Sequence, residues 1–213
     1  MTGEAKTIIG IGLVTLIILV GGVFFLSKGS STAPENIDQN LLVREDSNKI
    51  STSSAKLTVV EFGDYQCPAC GQAHPITKKI IEDFKGKISF VYRHFAFLGQ
   101  ESTWAAEASE CAGEQGKFWE FHNYLYEHQS GENQGAFSKK NLEGFAKILK
   151  LDLSKFNTCI DELKYSQKVV GDRSDGQALG INSTPTFFID GEKVVGVIGY
   201  EDFKIKLDNF LDL

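Results

Sequence analysis

The chain has 213 residues, enough for one domain and little more, and 42% of them are hydrophobic, ample for a packed core. The formal net charge is −6 and no basic patch stands out, which argues against nucleic acid as a partner. Residues 1–6 form a short N-terminal tail. Residues 7–26 carry no charged side chain. A run of that length spans a bilayer as one helix. Lys6 and Lys28 bracket it, so the bias of positive charge gives little orientation. Ser31-Thr32-Ala33 would suit a signal-peptide cleavage site, but the apolar run is longer than an ordinary signal core. An uncleaved anchor is the favoured reading, and either way the rest of the chain is exported. Residues 27–56 turn to Ser, Thr, Gly, Asn and acidic side chains, which reads as a linker of moderate flexibility. Leu41-Leu42-Val43, near its end, has the character of a short edge strand.

The folded domain is expected from Leu57 to Leu213. Leu57–Phe62 has strand composition and runs into Cys67-Pro68-Ala69-Cys70. A helical pattern follows, with Ile76, Ile80, Ile81 and Phe84 on one face. The first cysteine therefore caps a helix, and Pro68 takes the first position, where its missing N–H costs nothing. Unpaired N–H groups and the positive dipole end favour a thiolate at Cys67. Cys70, one turn on, is within reach of a mixed disulfide held on Cys67. The bland readings are a structural disulfide or half a metal site. No second Cys-x-x-Cys completes four thiolates, His74 is a weak third ligand, and Gly71 stands where a haem motif needs histidine. No metal or cofactor is expected. Glu61 interrupts an otherwise apolar strand of the kind that is buried, and a buried carboxyl has a raised pKa and can pass protons.

Lys87–Phe95 reads as a second strand, closing a right-handed β-α-β unit. A long helical stretch follows, about 102–179, punctuated by glycines. Cys111 and Cys159 fall on its apolar faces. They are either two buried thiols or, as four cysteines in an exported chain favour, a second disulfide, structural or redox-active. Thr186–Ile189 and Lys193–Val197 form a hairpin through Asp190-Gly191. Glu201–Leu211 is the last helix. The order is β-α-β, a helical block, then β-β-α.

That order resembles the thioredoxin fold with an inserted helical subdomain, an α/β architecture, and more narrowly the DsbA-like thiol:disulfide oxidoreductases. The residues that carry the resemblance are Val59–Cys70, Pro75 where this fold kinks its active-site helix, Cys111–His122 and Ser183–Gly191. The resemblance implies dithiol–disulfide exchange on exported proteins with thiols or disulfides, and a membrane redox partner that resets the pair. It implies that Glu61 relays protons. It also implies that Thr184-Pro185 has a cis bond facing the cysteines, with the Thr184 backbone offered to an extended substrate. Strongly oxidising members carry histidine before the second cysteine; here it is Ala69. The expectation is a membrane-tethered oxidant acting on the extracytoplasmic side. The alternatives are a reductase or isomerase with the same site, or a non-catalytic thioredoxin-fold metallochaperone or adaptor.

Overall fold

The structure is a computed structural model describing residues 37–211. The expected anchor at 7–26 lies outside these residues. Among the described residues no helix is long and apolar enough to cross a membrane.

Five strands form one mixed sheet: β1 (Asn48–Ile50), β2 (Leu57–Gly63), β3 (Ile88–His94), β4 (Thr186–Ile189) and β5 (Glu192–Val195). Their spatial order is β1-β3-β2-β4-β5. β2 and β3 run parallel, with Val59 beside Phe90 and Glu61 beside Tyr92; β4 lies antiparallel on the other side of β2, with Phe187 beside Glu61. Helix α2 (Pro68–Asp83) crosses between β2 and β3. Alternation along the strands divides two cores. Val59, Phe90, Tyr92, Phe187 and Ile189 pack on one face with Ile80 of α2 and with Phe203 and Leu207 of the last helix. Val60, Phe62, Val91 and Phe188 pack on the other. β4 turns into β5 through Asp190 and Gly191, both at positive φ (50° and 87°), as a two-residue hairpin twisted with its strands requires.

The helical block is five helices: α3 (Gln100–Gly113), α4 (Phe118–Glu127), α5 (Lys139–Ile148), α6 (Leu153–Asp161) and α7 (Ser166–Ala178). The chain ends in α8 (Tyr200–Leu211), which packs beside α2. Cys111 on α3 and Cys159 on α6 are joined by a disulfide, both buried.

Two expectations about the approach to the domain are corrected. Leu41-Leu42-Val43 is not an edge strand: α1 (Gln39–Leu42) is a helical turn capped by Asp38, whose side chain accepts from the Asn40 N–H. The edge strand is β1, antiparallel to β3. The described part of the expected linker, 37–56, is therefore folded onto the domain rather than free. The cause is a wholly buried arginine. Arg93 Nε and Nη2 donate to Asp172 (2.9 Å) and Asp175 (2.6 Å) on α7, and Nη1 donates to the carbonyls of Leu41 (3.0 Å) and Leu42 (2.9 Å). Arg44 adds a two-pronged pair with the same Asp175, at 2.6 and 2.7 Å. A buried guanidinium is tolerable only with its donors occupied, and the helical turn supplies two of the acceptors.

Candidate active site

β2 delivers the chain to a three-residue turn, Asp64-Tyr65-Gln66, that ends on Cys67. The Cys67 N–H donates to the Asp64 carbonyl at 3.0 Å. The buried Asp64 carboxylate accepts from the Gln66 N–H (2.8 Å) and, across the sheet end, from the N–H groups of Phe97 (2.9 Å) and Leu98 (3.1 Å). An aspartate satisfied by three backbone donors makes a rigid turn. Cys67 is then the N-cap of α2, in extended conformation, with Pro68 opening the helix and Pro75 inside it.

Cys67 and Cys70 are both thiols. Cys67 keeps 8% of its surface and Cys70 none, so an outside reagent reaches only the first. Their acidities diverge. The Cys67 pKa is lowered to about 6, first by the hydrogen bond from the Cys70 thiol and then by Thr184 and the N–H groups of Cys70 and Ala69, against the cost of burial. Burial pushes the Cys70 thiol well above its ordinary value, and the charge on Cys67 adds to it. The lowering at Cys67 needs no histidine at position 69.

The loop before β4 faces the pair. The Thr184–Pro185 bond is cis. The Cys67 thiol donates to the Thr184 carbonyl at 3.3 Å, while the buried Thr184 hydroxyl has no partner. When the thiol ionises, that hydroxyl is the donor at hand. Glu61 sits beneath, 2% exposed, so the reading of it as an outward-facing strand residue is excluded. Its pKa is raised to about 8, by burial first and by the Cys67 charge second.

That shift makes a testable difference. Folding raises the Glu61 pKa from 4.5 to about 8, so its contribution to stability is complete below 4.5 and is lost as pH rises through 8. The reduced wild type should lose stability relative to Glu61→Gln between about pH 4.5 and about pH 8, by up to about 1.4 kcal/mol per pH unit. Denaturant midpoints of the two proteins measure this; a difference that does not change with pH would place the carboxyl in solvent. Cys67 works in the opposite sense, its depressed pKa adding stability between 6 and 9.

The insertion reaches the site at two points that local sequence did not reveal. Gln129, just past α4, donates its side-chain amide to the carbonyls of Tyr65 (2.7 Å) and Cys67 (3.0 Å). The Asn133 N–H donates to the side chain of buried Gln66 (2.5 Å), which itself donates to Ser102 (2.8 Å). Behind Cys70 lies a buried aromatic group in which the hydroxyls of Tyr92 and Tyr126 are 2.8 Å apart and Tyr65 meets His122 Nδ1 at 3.0 Å. Burial holds His74 at about 4 and His122 well below its ordinary value, so both are neutral at pH 7. Among the described residues no group of three or more His, Cys, Asp or Glu side chains could hold a metal ion.

A thioredoxin family model matches residues 46–209. The Na(+)/H(+) antiporter NhaA 1 of Salinispora arenicola is 36% identical over 149 residues, which are 69% of this chain and 22% of that protein. The chain thus spans less than a quarter of the length of that relative. Among solved structures, BdbD from Bacillus subtilis is similar with a TM-score of 0.71 and 30% identity, over 78% of this chain and 92% of that one. A thioredoxin-like oxidoreductase from Silicibacter pomeroyi is similar with a TM-score of 0.72 and 25% identity, over 83% and 99%.

Proposed function

The chain belongs to the thioredoxin family, and on that premise we propose that it is a DsbA-like thiol:disulfide oxidoreductase that forms disulfides in exported proteins through Cys67 and Cys70. The observation that carries this is the split in acidity between an accessible Cys67 at about 6 and an enclosed Cys70 held high. A sulfur that is a stable thiolate at neutral pH is a good leaving group, which makes its disulfide oxidising.

In the reaction a substrate thiolate attacks Cys67 Sγ in the Cys67–Cys70 disulfide. The S–S bond breaks and Cys70 leaves with the electron pair, to be protonated because its own pKa is high. Glu61, still protonated below about 8, is the buried acid that supplies the proton. A second substrate thiolate then attacks the substrate sulfur bound to Cys67, and Cys67 leaves as a thiolate. The substrate has lost two electrons, and the enzyme pair has gained them. A membrane redox partner accepts those electrons in turn. Thr184 and Pro185 form the substrate-facing edge, where an extended peptide pairs with the Thr184 backbone. The domain acts on the extracytoplasmic side, since a cytosolic pair would be held reduced.

Equilibration of the full chain with glutathione buffers tests the direction. The Cys67–Cys70 potential is expected to be less negative than about −220 mV, on the oxidising side of a cytosolic glutathione pool. A value near the roughly −270 mV of thioredoxin would make the protein a reductase with the same residues.

A further inference from the structure

The mechanism leaves unexplained why a residue of the helical insertion, sixty-two positions beyond Cys67, binds the active-site turn directly. Gln129 Nε2 faces two carbonyl oxygens, those of Tyr65 and Cys67, and only the nitrogen end of an amide can do so. The Cys67 carbonyl also accepts the first intrahelical bond of α2, from the Gly71 N–H at 3.1 Å. One side chain thus ties the last residues of the turn to the first turn of the helix. The space it occupies is taken from position 71: a Cβ built on Gly71 would lie 2.1 Å from Gln129 Oε1 and 2.9 Å from its Cδ. The glycine after the second cysteine leaves room for the amide. Asn133, four residues on, binds Gln66 and the Leu98 carbonyl (2.7 Å), so the segment grips both the turn and the loop after β3.

We propose that Gln129 is a positioning residue for the active site: its amide, clamped on the Tyr65 and Cys67 carbonyls, holds Cys67 Sγ against the N-terminus of α2. The inference rests on the reading of Cys67 as the nucleophile. Its physical content is that the sulfur lies at the N-terminus of α2, beside the Cys70 thiol, Thr184 and the N–H groups of Cys70 and Ala69, and keeps that place only while the cap is held. A loosened cap swings the sulfur off those donors, and the thiol becomes less acid.

The test is the pH profile of iodoacetamide alkylation at Cys67 in the reduced full chain, read by peptide mapping, for wild type, Gln129→Met and Gly71→Ala. Gln129→Met keeps the length and removes the donor. Gly71→Ala leaves Gln129 intact and evicts it. Both variants should move the alkylation midpoint up by about one unit, which lowers the rate at about pH 6 roughly fivefold and leaves the rate above about pH 9 unchanged. A residue that only supports the fold would lower the melting temperature and leave the profile alone. An unmoved midpoint in both variants, or a shift in Gly71→Ala alone, overturns the role of Gln129. A wild type whose Cys67 fails to alkylate at low pH overturns the reading of the site itself, and is seen before any variant is made.

Discussion

Replacing Cys70 with Ala in the full chain should turn a catalyst into a trap. In the proposed exchange a mixed disulfide forms on Cys67, and the thiol that would clear it from within is one helical turn away and fully enclosed. Without it the adduct waits for an outside thiol. Covalent complexes on Cys67 should accumulate in an oxidising compartment and appear on non-reducing gels, while turnover of a dithiol substrate falls to the uncatalysed rate. Cys67→Ala should lose turnover equally and trap far less, because Cys70 has no exposed surface and its pKa is raised well above that of an ordinary thiol. More adducts on Cys67→Ala than on Cys70→Ala would reverse the assignment of nucleophile. None on either would count against exchange altogether.

The second large effect concerns the Cys111–Cys159 bond, whose partners are 48 residues apart. In the chain-entropy account, a cross-link closing a loop of that length stabilises by about 4 kcal/mol. For a domain of this size each kcal/mol moves the melting temperature by about 2–4 °C, so changing both cysteines to Ala should lower it by roughly 8–16 °C. Differential scanning calorimetry under oxidising conditions reads the shift; an unchanged melting temperature would mean that the bond does not restrain the unfolded chain. The closed loop also contains Gln129 and Asn133. If the bond serves only the fold, exchange measured well below the melting temperature should fall much less than stability does. A parallel loss of both would tie the second disulfide to the geometry at Cys67.

Local pattern made much of this architecture legible. β2 and α2 are visible because an apolar run, a helix cap with proline behind it and a 3.6-residue pattern occupy adjacent residues. The β4–β5 hairpin is visible because Asp190-Gly191 tolerates two positive φ values in succession. Glu61 could be suspected from its apolar neighbours alone. Leu41–Val43 misled, since three apolar residues carry no period. What made that segment helical is Arg93, fifty-two residues from Leu41 and hidden inside a strand. Gln129 was invisible for the same reason. Its partners are backbone carbonyls, which leave no trace in side-chain identity, and the one hint was the bare glycine at position 71.

Arg93 also governs where this domain can be separated from what precedes it. Composition suggests a cut before Leu57, at the start of the first long strand. Such a cut would remove the Leu41 and Leu42 carbonyls from Nη1 and the Arg44 guanidinium from Asp175. The cation would keep Asp172 and Asp175 but lose two of its acceptors, and a buried donor left without a partner costs about 1–3 kcal/mol. An excised domain therefore has to keep the chain from at least Gln39. Residues that look like spacer are, from that point on, part of the molecule's interior chemistry.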